Sequence, residues 1–153
     1  MKNKEKISKP KVGVYLDNDD VKIPDNAYKD DIGYDLYAIE DVEIPYGLMR
    51  EVHTGVHLSL PKGLFAQINT RSSYGKKGMY VHHGVIDPGF TGELTLFVFN
   101  ISTQEKIKEP FTIKKGDKVA QLLFHRAEYV KINRVNSLPK TERGENRIGS
   151  SGS

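Results

Sequence analysis

No cysteine occurs among the 153 residues, which removes disulfide frameworks, thiolate zinc sites and cysteine nucleophiles and is compatible with a reducing interior. No run approaches the roughly 18 apolar residues that a membrane span requires. The lysine-rich start does not lead into the apolar segment of a secretory signal, so a soluble, cytoplasmic protein without membrane partners is expected. There is no internal repeat of fixed period and no strong amphipathic helix. No glycine-rich loop ends in Gly-Lys-Ser or Gly-Lys-Thr, which sets aside P-loop nucleotide chemistry. Surplus charge is also scarce. The net charge is +3, yet Lys2, Lys4, Lys6, Lys9 and Lys11 against Glu5 already exceed it, leaving the rest of the chain slightly acidic. These lysines read as a solvated leader, not a nucleic-acid arm, and no stable nucleic-acid binding is expected.

What is present is a series of short β-type runs bounded by Gly, Pro and Asp turns. They are Val12 to Leu16, Tyr34 to Ala38, Leu48 to Leu60, Leu64 to Asn69, Leu94 to Asn100, Phe111 to Ile113 and Lys118 to Phe124. Only Ser72 to Lys77 suits a helical turn. The rhythm is all-β, and a distorted, jelly-roll-like β-barrel disposes of the strand edges that a flat sheet leaves open. Three stretches are expected: a basic leader over 1–11, a barrel domain over 12–138 and a flexible C-terminal arm over 139–153.

The densest chemistry lies between Gly84 and Glu93, reading G-V-I-D-P-G-F-T-G-E. Asp87 follows Val85 and Ile86 directly, so a carboxylate held against apolar neighbours is expected, in need of a partner such as water, a cation or a ligand hydroxyl. Phe90, across the Pro88-Gly89 turn, is a candidate pocket floor. The ordinary alternative is a hairpin in which Asp87 caps its turn. Four further segments carry polar groups. Asp35 sits in G-Y-D-L-Y-A from Gly33, and Arg71-Ser72-Ser73 offers a guanidinium fork and two hydroxyls suited to phosphate oxygens. Gln121 lies in an apolar strand opened by Gly116-Asp117-Lys118. A tail runs R-G-E-N-R-I-G-S-S-G from Arg143. Taken singly, each has a plain structural reading as a cap, a surface ion pair, a satisfied amide or a solvated tail. His82-His83 does not make a metal pair, since adjacent strand residues face opposite sides.

In this order, GYDLYA, RSS, GVIDPGFTGE, GDKVAQLLF and RGENRIGSSG resemble the five motifs of the trimeric dUTP diphosphatase (dUTPase) family, over roughly residues 30 to 152. The resemblance implies a homotrimer with three sites at subunit boundaries. It also implies hydrolysis of dUTP to dUMP and pyrophosphate, which keeps uracil out of DNA and supplies dUMP for thymidylate synthesis. Asp87 would be the catalytic base acting on water. Arg71, Ser72, Ser73, Gln121 and Arg143 would meet the phosphates, and Mg²⁺ would be carried mainly by the triphosphate with no direct protein ligand. The main chain at Gly84, Val85 and Ile86 would pair with uracil, and Phe90 would lie beneath the deoxyribose. Ile148, Gly149, Ser150 and Ser151 would close over a neighbouring site, and Asp35 would support the site by ordering polar groups.

The chain departs from the family pattern at several of these places. Phe90 stands for a usual Tyr, Thr91 for a common Arg, Val81 for an Asn that often contacts the nucleotide, and Ile148 for a stacking Phe, which implies a weaker lid. Two other readings remain open at this point. A dCTP deaminase shares the barrel and the Asp-Pro-Gly-Phe turn, but needs a Glu at the place of Phe97 and an Arg at the place of Lys76. A non-catalytic nucleotide-sensing or protein-binding module would tolerate the departures. The source, cellular or viral, is not legible.

Overall fold

The computed structural model describes residues 9–102, 108–141 and 144. Its order is β1 (Gly13–Leu16), β2 (Tyr34–Tyr37), β3 (Val42–Ile44), β4 (Met49–Val52), β5 (Val56–Ser59), β6 (Leu64–Thr70), α1 (Ser72–Lys76), β7 (Met79–Val81), β8 (Val85–Ile86), β9 (Leu96–Asn100), β10 (Phe111–Ile113) and β11 (Lys118–Arg126). All strand pairs are antiparallel and fall into four sheets: β1-β5, β10-β3, β2-β11-β6-β8 and β4-β9-β7. The all-β class expected from the turn rhythm is therefore what the chain forms. Its hydrogen bonding is carried by four separate sheets around one core and not by a single continuous one.

Alternation explains which faces turn inward. In β6, Leu64, Ala66 and Ile68 are buried while Phe65 and Gln67 are half-buried, and in β9 Leu96, Val98 and Asn100 are buried. The inward sets meet in a core that includes Leu36, Ile44, Val52, Val56, Met79, Val81, Val98, Ile113, Val119 and Leu122. Asn100 is tolerated there because its amide donates to the carbonyls of Ile44 and Glu109, both at 3.1 Å.

The run from Leu48 to Leu60 is two strands and not one. It breaks at Gly55, whose φ of +63° is left-handed, and the freed N–H groups of Thr54 and Gly55 donate to the Glu93 carboxylate at 3.0 and 2.8 Å. In β11 one extra residue enters opposite β2: Lys118 faces Tyr37 but Ala120 faces Leu36, so Val119 is bulged. Both Val119 and Ala120 are consequently buried. The helical turn expected at Ser72 forms as α1, anchored by Tyr74, whose ring meets Phe111 edge-on at 5.5 Å. No helix among the described residues is long and apolar enough to cross a membrane.

Candidate active site

The four-stranded sheet carries most of the expected site residues. Gln121 on β11 stands across from Asp35 on β2 and from Asn69 on β6. Its amide lies over Gly33, where a Cβ would come within 3.1 Å of Gln121 Cδ, so the glycine leaves room for the amide. Asn69 Oδ1 is buried without a partner.

Asp35 is 2% exposed, and a carboxylate so placed is costly unless cations face it. Two do. Lys118 Nζ lies 2.7 Å from Oδ2 and Arg71 Nε lies 3.0 Å from Oδ1. The Arg71 approach is an ion pair without hydrogen-bond alignment, and the guanidinium is fixed instead by donating from Nη1 to the Lys118 carbonyl at 3.2 Å. The Asp35 carboxylate holds the Lys118 ammonium above the usual lysine range. Asp35 thus lies between two cations, with the Lys118 ammonium the nearer and the more directly held. Lys118 was not singled out from sequence, although it lies inside GDKVAQ; only the β2–β11 register brings it to Asp35. Arg71 occupies the position before α1, with Ser72 and Ser73 exposed on its first turn.

The hairpin is stapled to the end of β6 just before Arg71. The Thr70 hydroxyl donates to the Val81 carbonyl at 3.0 Å and accepts from the Val81 N–H at 2.9 Å. The Thr70 N–H donates to His83 Nε2 at 3.2 Å, and the Ile68 N–H to the Gly84 carbonyl at 3.0 Å. Val81 itself is fully buried, so its side chain faces the core and this position offers a ligand no side chain at all. Strand β8 pairs with β6 through Ala66–Ile86 and Gln67–Val85 and is the edge of its sheet. Half of its main-chain groups therefore point outward, free to pair with the amide edge of a planar base.

Asp87 corrects the expectation that its carboxylate is held against apolar neighbours. It is exposed just beyond β8, because the strand ends at Ile86 and the chain turns away from the sheet. The turn is closed by the main chain, with the Phe90 N–H donating to the Asp87 carbonyl at 3.0 Å, so the carboxylate is not spent as a cap. Phe90 is 45% exposed and its ring rests on Gly92, where a Cβ would fall 2.6 Å from Phe90 Cζ.

The sheet register also separates the two halves of the site. Asp87 follows Ile86, which faces Ala66, whereas Arg71 lies beyond the opposite end of β6. At about 3.3 Å per residue the two are on the order of 20 Å apart within one chain. Arg71, Asp35 and Gln121 are brought together; Asp87 and Phe90 are not brought to them. The proposed contacts of Arg143, Ile148, Gly149, Ser150 and Ser151 lie outside the described residues.

Glu93 went unassigned in the sequence although it ends the hairpin motif. Its carboxylate accepts from Thr54 and Gly55 and faces His53 Nδ1 at 2.9 Å. Burial pushes this carboxyl up, but the Gly55, His53 and Thr54 bonds outweigh burial and leave it below the usual range. The same contact raises His53. Among the described residues no three His, Asp or Glu side chains converge on a metal position.

A family model described as dUTPase matches residues 19–152. The chain is 34% identical over 138 residues to the deoxyuridine 5'-triphosphate nucleotidohydrolase of Clostridium novyi (strain NT), covering 88% of this chain and 94% of that one. It is similar in structure to a variant of the Staphylococcus bacteriophage 80alpha dUTPase solved with dUpNHpp, with a TM-score of 0.83 and 25% identity over 94% of this chain and 99% of that one. A variant of the dUTPase from phage phi11 of S. aureus, with a coordinated structural Mg(II) ion, shares the fold at a TM-score of 0.74 and 23% identity, covering 83% and 97% of the two chains.

Proposed function

The chain belongs to the dUTPase family, and on that premise we propose a hydrolytic site assembled from more than one copy, in which dUTP is cleaved to dUMP and pyrophosphate by a water under the control of Asp87. The observation that carries this reading is the exposed Asp87 carboxylate following directly on the outward edge of β8. A base paired to that edge at Gly84, Val85 and Ile86 puts its own sugar and phosphates next to an unspent carboxylate. A tight fit at that edge would exclude the methyl of thymine, and Phe90 takes the space a 2′-hydroxyl requires.

Asp87 accepts a proton from the water as its oxygen attacks the α-phosphorus. The new P–O bond forms in line with the bridging P–O bond that breaks, and the electron pair leaves with pyrophosphate. Negative charge on the phosphate oxygens is met by Arg71, whose guanidinium Asp35 steadies, with Ser72, Ser73 and Gln121 beside it. Arg143 and the segment from Ile148 to Ser151 complete the enclosure. Because Asp35 is already committed to Lys118 and Arg71, the donor set suits a Mg²⁺ carried by the triphosphate, whose chemistry is to neutralise phosphate charge. The separation of Asp87 from Arg71 along β6 supports a homotrimer whose sites lie between copies. The division into a leader over 1–11, a barrel over 12–138 and an arm over 139–153 belongs to the same reading.

Incubation with dUTP and with dCTP in Mg²⁺ tests the substrate: pyrophosphate from dUTP is expected. Ammonia from dCTP would point to deamination, which Phe97 at the place of the required carboxylate opposes, and neither product would point to a binding module. Asp87→Asn should keep nucleotide binding and lose turnover by about 10²- to 10⁴-fold. Near-normal hydrolysis by that variant removes Asp87 from the mechanism.

A further inference from the structure

The segment after Phe90 is zipped to the turn between β4 and β5. The Leu94 N–H donates to the Val56 carbonyl at 2.8 Å, the Thr54 hydroxyl to the Leu94 carbonyl at 2.8 Å, and Glu93 takes up Thr54, Gly55 and His53. All of these act at or after Glu93. One staple reaches closer to Phe90: His57 Nδ1 lies 3.0 Å from the Thr91 carbonyl. The other ring nitrogen, Nε2, lies 2.9 Å from Asp17 Oδ1 at the end of β1. A main-chain carbonyl and a carboxylate both only accept, so the ring satisfies both only when each nitrogen carries a proton.

We propose that His57 is a positioning residue for substrate binding, an imidazolium that donates from both nitrogens and so fixes the Phe90–Gly92 segment. The proposal rests on the reading of Phe90 as the ring beneath the sugar. Asp17, held in turn by its own N–H on the Gly55 carbonyl at 3.0 Å, serves as the fixed post, and Thr91 is the load. The Phe90 ring rests on Gly92, so a shift of Thr91 is passed on to the ring.

Charge around the imidazole favours the doubly protonated form. The titratable and charged groups facing it are Asp17 just after β1, Glu93 across an antiparallel bridge, and the Tyr15 phenol, opposite in register and edge-on at 5.4 Å. The Thr91 carbonyl raises the imidazole above its usual value; burial opposes this, and Asp17 and Glu93 add to the rise. The staple is therefore complete below the ordinary histidine value, about 6.5. It is lost as pH climbs through the raised value, where the neutral ring must turn one lone pair toward an acceptor.

The test compares steady-state dUTP hydrolysis in Mg²⁺ by the full chain and by His57→Gln from pH 5.5 to 9, with KM and kcat read separately. The ratio of the two KM values cancels titration of the substrate's own phosphates. It should be about three- to tenfold at low pH, the range of one hydrogen bond, and approach unity at high pH, while the kcat ratio stays flat. Asp17→Asn should move the midpoint of the native KM profile to lower pH without abolishing it, and imidazole ¹⁵N shifts should report both nitrogens protonated at pH 6. A KM ratio independent of pH, a change confined to kcat, or a lowered melting temperature with superimposable kinetics overturns the proposal. Failure of the parent reading looks different: the unaltered chain then does not hydrolyse dUTP at any pH.

Discussion

Replacing Gly92 with alanine should damage substrate binding while leaving the fold almost untouched. Gly92 is not among the glycines with left-handed φ, so alanine suits its backbone. The added Cβ, however, would lie 2.6 Å from Phe90 Cζ, 3.0 Å from Cε2 and 3.4 Å from Cε1. The ring must move, and being 45% exposed it has solvent to move into. Full burial of a phenylalanine contributes about 1.5–3 kcal/mol, so displacing a half-buried ring forfeits about 1 kcal/mol. Reduced freedom of the unfolded chain returns about 0.4–1 kcal/mol. The balance is under about 1 kcal/mol, a melting shift of about 2–4 °C at most for a chain of this size. Binding has no such offset. A ring driven off the sugar should raise KM for dUTP about 10-fold, equivalent to about 1.4 kcal/mol, and narrow the preference for dUTP over UTP. Calorimetry and steady-state hydrolysis of both nucleotides supply the two readouts. Unchanged KM and unchanged discrimination in a folded variant would refute the placement of Phe90 beneath the sugar, and a melting loss above about 10 °C would refute the claim that the ring is free to yield.

Gly78→Ala should behave in the opposite way, because Gly78 has φ +74° and its Cβ would collide with Ser102 Cα, a backbone atom that cannot swing aside. A loss of about 2–4 kcal/mol in urea unfolding is expected, and a midpoint within error of the native chain would contradict it. Glu93 lies below its ordinary value of 4.5 when folded, so its stabilisation is present above that value and lost as pH falls through the folded one. Between pH 5 and 3 the unfolding midpoint of the native chain should drop more steeply than that of Glu93→Gln; parallel curves would remove Glu93 as the acid-sensitive tie.

Local chemistry made part of this fold legible in sequence. Phe111 to Ile113 forms the strand expected of it, since Pro110 and the Lys115-Gly116-Asp117 turn punctuate it from both sides. Long-range chemistry was not legible. Nothing near Thr54 says that a carboxylate from Glu93 will cap the break between β4 and β5. The β7 and β8 strands, three and two residues long, carry too little periodicity to declare themselves, and only their bonds to β6 and β9 make them strands. At the site, Arg71, Asp35 and Gln121 were each readable by residue type, but their meeting depends on the register of β2, β11 and β6. Asp87 was expected in apolar company because its sequence neighbours are apolar, yet a strand that ends one residue earlier leaves it in solvent.

The bulge at Val119 carries a consequence for which changes this protein can tolerate. Side chains three apart on a regular strand project to opposite sides, so Lys118 and Gln121 share Asp35's side only because one surplus residue resets the parity between them. Deleting that residue would change no charge and remove only an interior methyl pair. It would also restore regular alternation opposite Tyr37, Leu36 and Asp35, so the ammonium and the amide would still share one side and the bulge would close. Between Lys118 and Gln121, then, length and irregularity are tied to each other: at the present length the strand must carry a bulge to keep both groups beside Asp35, and with one residue fewer it must run regular.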